Sequence, residues 1–273
     1  MMGSLRAIYI IWYRELLRVW REKMRLVSAL AFPLLFLVVF GGGLSSSMGM
    51  LAPGVNFRQF LFPGIISMTV LMTGLMSGIS IVWDREFGFL KEVLVAPISR
   101  WAVAVGKTLG GATVAIVQGT LIIFLAPLLG VDLSVGLVLE LLPLMFLVAF
   151  SLAALGILLA SRMKSMEAFQ VMMQMLTFPM IFLSGVFFPL GNLPSWMNVL
   201  VKLNPATYAV DAIRQVVLAS LPSANGSETS ITDSNISLTL FGHHMSILDD
   251  VLVVAVFGTV LIILAMWSFS IQE

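Results

Sequence analysis

Apolar runs long enough to cross a lipid bilayer recur along this chain, and they constrain its fold more than any other feature. A transmembrane helix needs about 20 predominantly apolar residues to cross a hydrocarbon core of about 30 Å. Such runs occupy Phe60–Trp83, Trp101–Leu129, Leu141–Ala160, Ala168–Leu190 and Val251–Ile271. A shorter run follows Arg25 and reaches Phe40, about 22 Å as helix, with glycines at 41–43 to extend it. Hydrophobic residues make up 59% of the 273 and charged residues 11%, against about half and a quarter in soluble domains, so lipid is the solvent. The predicted fold is an all-α polytopic membrane protein with six transmembrane helices.

The segments between the runs differ in character. Residues 3–23 form an amphipathic helix at 100° per residue, with Leu5, Ile8, Tyr9, Trp12, Leu16 and Val19 on one face and Arg6, Arg14, Arg18 and Arg21 opposite. Glu15 and Glu22 lie nearby, and Ile10, Ile11 and Leu17 fall off the stripe. A basic helix with aromatic residues on its apolar face lies in the headgroup plane, although packing on another protein domain fits the pattern too. The start, Met1-Met2-Gly3-Ser4-Leu5-Arg6, lacks the apolar core and small-residue cleavage site of a secretory signal and is expected to stay. Residues 41–58 read as a Gly/Ser/Pro-rich loop. Residues 191–220 form two amphipathic pieces split at Asn204-Pro205, and 221–249 are polar. The expected organisation is an interfacial helix at 1–25 and a transmembrane domain at 26–273.

Charge sets the orientation. Arg6, Arg14, Arg18, Arg21, Lys23, Arg25, Arg85, Lys91, Arg100, Lys107, Arg162 and Lys164 fall on one side of the six-span topology. Arg58, Lys202 and Arg214 fall on the other. Cytoplasmic loops hold the positive charge, which predicts both termini inside and 221–249 outside, in the plasma or inner membrane. Were 191–220 to cross the bilayer, the Lys/Arg-free 221–249 loop would lie inside. The segment is therefore expected to dip in and return as a hairpin, with Trp196 and Tyr208 near the outer interface.

Two stretches are more specific than hydropathy. From Asp84 to Arg100 the charges force the chain out of the bilayer, while Phe87, Leu90 and Leu94 recur at helical spacing. Pro97 disfavours helix at Ala96. The result is a short amphipathic helix with an apolar knob flanked by Arg85, Glu86, Lys91 and Glu92, suited to a groove on a partner. The second stretch is Phe182-Leu183-Ser184-Gly185-Val186-Phe187-Phe188-Pro189-Leu190, continuing through Leu193-Pro194-Ser195-Trp196 to Asn204-Pro205-Ala206-Thr207-Tyr208 and Asp211-Ala212-Ile213-Arg214.

With that second stretch the chain resembles the permeases of type-2 ABC transporters, the group of drug-resistance, nodulation-factor and polysaccharide exporters. The 84–100 segment looks like that family's coupling loop. The resemblance covers nearly the whole chain in order: interfacial helix, six spans, coupling loop, re-entrant hairpin 191–220 and extracellular loop 221–249. It implies an ATP-driven exporter that moves an amphipathic, lipid-linked or drug-like substrate by alternating access. Two permease copies, or a copy and a paralogue, would form the pore. Two cytoplasmic ATPase subunits would dock beneath, with Arg85, Glu86, Phe87, Leu90, Lys91, Glu92 and Leu94 as the coupling residues. ATP and Mg are expected on that partner, and no cofactor on this chain. The chain departs from fused members in carrying no ATPase of its own. A Walker A loop needs glycine, any four residues, then Gly-Lys-Thr or Gly-Lys-Ser. Gly106-Lys107-Thr108 has Trp101 where that glycine belongs and opens a membrane span. Lys107 is expected to snorkel to the inner interface.

Several features bear on a substrate path. Met68, Met72 and Met76 recur every four residues, and flexible, polarizable Met suits a promiscuous apolar pathway, as it also suits a core. Met172, Met173, Met175 and Met180 crowd the fifth span, where Gln170, Gln174 and Thr177 share a face expected to look into the bundle. Gly74 and Gly78, like Gly106 and Gly110, have the spacing that lets helices approach closely, within the chain or across a dimer.

The rival classes lack support in sequence. A gradient-driven transporter or channel would usually bury an ionisable group. No carboxylate falls mid-span: Asp132 and Glu140 lie at outer loop ends, and Asp249 and Asp250 cap the sixth span. An intramembrane enzyme would need a nucleophile–base pair or metal ligands within the bilayer, whereas His243 and His244 stand in the outer loop and there is no Cys. No metal site is expected. A net charge of +1 implies no nucleic-acid partner. Asn225-Gly226-Ser227 and Asn235-Ile236-Ser237 have the form of glycosylation acceptors.

Overall fold

The computed structural model describes residues 2–21, 23–43, 57–88, 99–129, 131–187, 190, 193–220, 239–240 and 243–271. The chain is helical: α1 (Met2–Arg21), α2 (Lys23–Val38, continued by a π-helical turn Val39–Gly43), α3 (Phe57–Met76), α4 (Ile79–Glu86), α5 (Arg100–Ile123), a 3₁₀ turn Ala126–Leu129, α6 (Val135–Arg162), α7 (Met166–Leu183), α8 (Ser195–Leu203), α9 (Pro205–Ala219) and α10 (Ile247–Ser270). One two-residue antiparallel ladder pairs Thr239 with His244 and Leu240 with His243.

Five of these helical stretches are long and apolar enough to cross a membrane: Gln59–Glu86, α5, α6, α7 and α10. The first apolar run is helical as well, but α2 itself has 16 residues, about 24 Å. Local chemistry places the ends. Ser134 and Ser165 accept the Leu137 and Ala168 amides and start α6 and α7. α6 therefore begins earlier than the apolar run alone indicates. A Ser246–Asp249 capping box starts α10. Asn204 caps α9 with Pro205 at the first helical position. Gly185, at φ +79°, turns the chain out of α7 at Leu183, short of the expected Leu190. The second run does not stop at Trp83. After a turn at Ser77-Gly78 it resumes as α4, so Asp84, Arg85 and Glu86 finish a span helix instead of opening a separate one.

α3 is the hub of the core, with residues 60–71 buried. It packs on α5 and α6, and α10 closes on α6. Glycine decides how closely. A Cβ on Gly156 of α6 would fall 2.1 Å from the Leu75 carbonyl oxygen, and one on Gly78 2.2 Å from the Gly156 carbonyl oxygen. Backbone meets backbone here, with no flexible side chain to yield. The Gly106/Gly110 pair does the same for α1: their Cβ atoms would come within 2.9 Å of Ile11 and 2.7 Å of Glu15. Both glycine pairs thus serve contacts within one chain.

Gly156→Val should force α3 and α6 apart at their crossing and destabilise the protein by about 1–3 kcal/mol, the usual cost of overpacking. Thermal unfolding in detergent reads this. A melting temperature equal to the parent's would show that the crossing has slack.

Candidate functional site

At the end of the bundle that carries most Lys and Arg, a lysine inside an apolar helix requires neutralisation. Lys107 lies on α5, seven residues past Arg100, and is 2% exposed. Its Nζ donates to Glu15 Oε1 of α1 at 2.9 Å, to Asp84 Oδ2 of α4, and to the Ser80 hydroxyl at 3.1 Å. Arg14 Nη2 donates to the same Asp84 oxygen at 2.7 Å and to Glu15 at 3.3 Å. Among the described residues two cations and two anions meet here, and three helices join on them. The Lys107 amine is therefore buried in an ion network and does not snorkel: carboxylates from α1 and α4 reach it where the apolar helix alone offers none.

The same network places α1. Ile11 and Glu15 sit over Gly106 and Gly110, and Trp12 Nε1 donates to Thr113 Oγ1 at 3.0 Å. Ala7, Ile11 and Glu15 are the buried face, while Leu5 and Tyr9 of the expected apolar stripe stay exposed. Ile11, which falls off that stripe, is a packing residue.

The 84–100 loop is fastened at both stems. On the entry side Asp84 is held as above, and Arg18 stacks over Trp83 at 4.6 Å. Arg85 donates to the Ser161 carbonyl at 2.8 Å and to the Met163 carbonyl, capping the end of α6 with positive charge. On the exit side the Ser99 hydroxyl donates to Ser4 Oγ of α1 at 3.2 Å. Beyond, Arg162 and Ser161 bond Ser268 of α10. Glu86 and Phe87 are exposed, and Gly88 at φ +81° ends the helix. Phe87 stands at the C-terminal end of α4, where Gly88 turns the chain. Leu90, Lys91, Glu92 and Leu94 lie outside the described residues.

The opposite end is laced through backbone carbonyls. Asn204 Nδ2 donates to the Met180 carbonyl at 2.8 Å while its Oδ1 caps α9. The Thr207 hydroxyl donates to the Val201 carbonyl, and the Tyr208 hydroxyl to the Lys202 carbonyl. Tyr208 is therefore turned into the protein, whereas Trp196 is exposed. Arg214, 1% exposed, donates to the Gly185 carbonyl and lies 4.3 Å over the Phe60 ring. Burial lowers its guanidinium to about 10, opposed by nearby Asp211, so it stays charged at neutral pH. Asp250 is fully buried against α9, where Gln215 bonds it together with Asp211. Of the two aspartates expected to cap this helix, Asp250 does not. The cap is Asp249, and the next residue turns inward.

The candidate path residues separate. Met68 is buried and Met72 and Met76 are half-buried in the α3 packing. Thr177 is buried with no hydrogen-bond partner for its hydroxyl among the described residues. Gln174 and Gln170 are exposed, so the α7 face expected to look inward splits, with only Thr177 facing the bundle. A cavity of about 330 Å³ opens between α6, α7, α8 and α10, lined by Met175, Pro179, Leu200 and Phe257 among others. None of the five candidates lines it. Among the described residues no cluster of His, Asp or Glu could hold a metal ion.

Residues 6–218 match the ABC-2 type transporter family. The chain is 28% identical over 214 residues to a putative transport permease, ycf38, of Cyanophora paradoxa, covering 77% of this chain and 73% of the relative. It is 27% identical over 219 residues to nodulation protein J of Rhizobium leguminosarum bv. viciae, 79% of this chain and 83% of the relative. It is 26% identical over 219 residues to the daunorubicin resistance ABC transporter permease protein DrrB1 of Streptomyces coeruleorubidus, 74% of each.

Lys107→Met leaves Glu15 and Asp84 facing one cation, Arg14, and should cost about 3–5 kcal/mol, as breaking a buried ion network does. Adding Glu15→Gln restores the balance around Arg14 and Asp84 and should recover most of the loss. Unfolding midpoints of the single and double variants check this. A single variant as stable as the parent would mean the network does not hold α1.

Proposed function

The chain belongs to the ABC-2 type transporter family, and from that premise we propose that it is the membrane subunit of an ATP-driven exporter. It works as a pair of permease subunits above two copies of a separate ABC ATPase, which carries the ATP and Mg. The chain has the role of permease and not of hydrolase. Its cargo is an amphipathic, lipid-linked or drug-like molecule, a class compatible with the nodulation and daunorubicin-resistance relatives.

The observation that carries this reading is the double fastening of the 84–100 loop. A push on that loop is delivered through Asp84 and Ser99 to α1, and through Arg85 to α6 and onward to α10. Loop, interfacial helix and the bundle helices α6 and α10 then move as one body. That is what closure of an ATPase dimer beneath the membrane would need in order to switch the pathway.

The finer topology follows. Residues 1–25 are the cytoplasmic interfacial segment, and its helix α1 turns Leu5 and Tyr9 toward lipid. Residues 26–273 form the permease domain, and α2 with its π-turn is the first of six spans. α8 and α9 have 9 and 15 residues, about 13 and 22 Å, each shorter than a span. They form the re-entrant hairpin, with 221–249 outside and both termini inside. The second reading, a gradient-driven transporter or channel, gains from the buried Asp211 and Asp250. Dependence of transport on ATP hydrolysis separates the two.

Two measurements test the proposal. Leu90→Asp should abolish co-purification of the ATPase and its stimulation in reconstituted membranes, with the spans still inserted; parental coupling in this variant would remove the loop as the joint. A cysteine at Ser227→Cys should react with a membrane-impermeant thiol reagent added outside intact cells. Reaction only from the cytoplasmic side would invert the topology.

A further inference from the structure

A cavity of about 390 Å³ lies between α6, α9 and α10, at the end of the bundle opposite the Lys107 network. α6 gives it one face, with Glu140, Leu144 and Leu147 at four- and three-residue steps. Ile247 and Val251, four residues apart, line it from α10, and Val216 lines it from α9. α6 and α10 both begin at this end, so Glu140 and Ile247 stand at the mouth. Leu147 lies seven residues further along α6, about 10 Å deeper. The chain neighbours of Val216 and Val251 hold the wall together, since Gln215 donates to Asp250 at 3.1 Å.

The charge at the mouth is unmatched. Glu140 is exposed and takes part in no ion pair or hydrogen bond among the described residues. The described cations of this end are placed elsewhere. Arg214 is buried against the Gly185 carbonyl and the Phe60 ring, and Lys202 stands on α8, which gives the cavity no residue. Pro143, inside α6, has no amide hydrogen, so the Leu139 carbonyl lacks its usual helical donor. That carbonyl adds partial negative charge one residue from Glu140. The amide ends of α6 and α10, which attract anions, are occupied in part by Ser134 and by the Ser246–Asp249 box.

A carboxylate at the mouth of an otherwise apolar cavity selects a ligand with an apolar body and one positive charge. A neutral ligand would leave the charge without a partner, and a zwitterionic lipid would bring its phosphate to the same mouth. We propose that this cavity is a binding site for a lipophilic monocation. The cation sits against Glu140, and the apolar body fills the space between Leu144, Leu147, Val216 and Val251. In the topology above the mouth faces outside, and the site narrows the exporter's cargo to this class. That role rests on the exporter reading, whereas binding does not.

The test uses the purified chain in phosphatidylcholine nanodiscs, without ATPase or ATP. The probe is radiolabelled tetraphenylphosphonium, with tetraphenylborate as an anion of the same shape. The cation should bind saturably above the level of protein-free discs, and the anion should not. Glu140→Gln should weaken the cation about tenfold, the loss of one partly desolvated charge contact. Ile247→Trp, which narrows the mouth and keeps the carboxylate, should weaken it as well. Asp132→Asn removes an exposed charge of the same end from outside the cavity and should bind as the parent does. Saturable binding of the anion, unchanged affinity in Glu140→Gln, an equal loss in Asp132→Asn, or no binding above lipid partition overturns the proposal. ATP-dependent export of the same probe by the complex with its ATPase tests the cargo role separately: cation binding without export removes that role and leaves the site.

Discussion

A lysine amine cannot rest in an apolar helix bundle without counter-charge, and the arrangement at the basic end of this protein follows from that. Lys107 draws Glu15 from α1 and Asp84 from α4 onto α5. Arg14 completes a neutral quartet, and Gly106 and Gly110 let α1 approach closely enough for Glu15 to reach. Removing the amine would strip Glu15 of its buried partner and leave α1 held by apolar contacts, the Arg14–Asp84 pair, the Arg18–Trp83 stack and the Trp12 and Ser4 hydrogen bonds. The stem of the 84–100 loop would lose one of its entry-side anchors and keep those of Arg14 and Arg85.

The two ends of the bundle solve different problems. At the basic end, charged side chains pair with one another or with the exposed carbonyls that finish α6. At the other, short helices α8 and α9 dock by donating to carbonyls freed where α7 stops: Asn204 to Met180 and Arg214 to Gly185. Between them the core is apolar and closely packed, with backbone contact at Gly78 and Gly156. Such a core transmits displacement because it has little room to absorb it.

α7 and α10 are the least covered of the spanning helices, each 28% buried over its most apolar window. Their outer faces carry Met175, Phe178 and Phe182 on α7, and Leu252, Val256 and Val260 on α10. For a membrane subunit of the ABC-2 family, exposed apolar faces of this kind suit contact with lipid.

The sequence by itself determined the solvent, the helical class, the approximate place of the spans and the family. These rest on hydropathy summed over about 20 residues and on short motifs, which are local properties. It also marked the glycine pairs and the Asn204-Pro205 break. The partners of single polar residues were not legible. Lys107 is 23 residues from Asp84 and 92 from Glu15, and hydropathy counts its charge without saying which carboxylate neutralises it. Asp249 and Asp250 are neighbours, but a helix turns adjacent residues by about 100°, so one caps α10 and the other enters the protein. Gln174 and Thr177 share a helix face in projection, yet only the neighbouring helices decide where that face becomes buried. Tertiary structure alone paired the charges, because a buried charge is satisfied by whatever folding brings within about 3 Å, and chain separation places no bound on that.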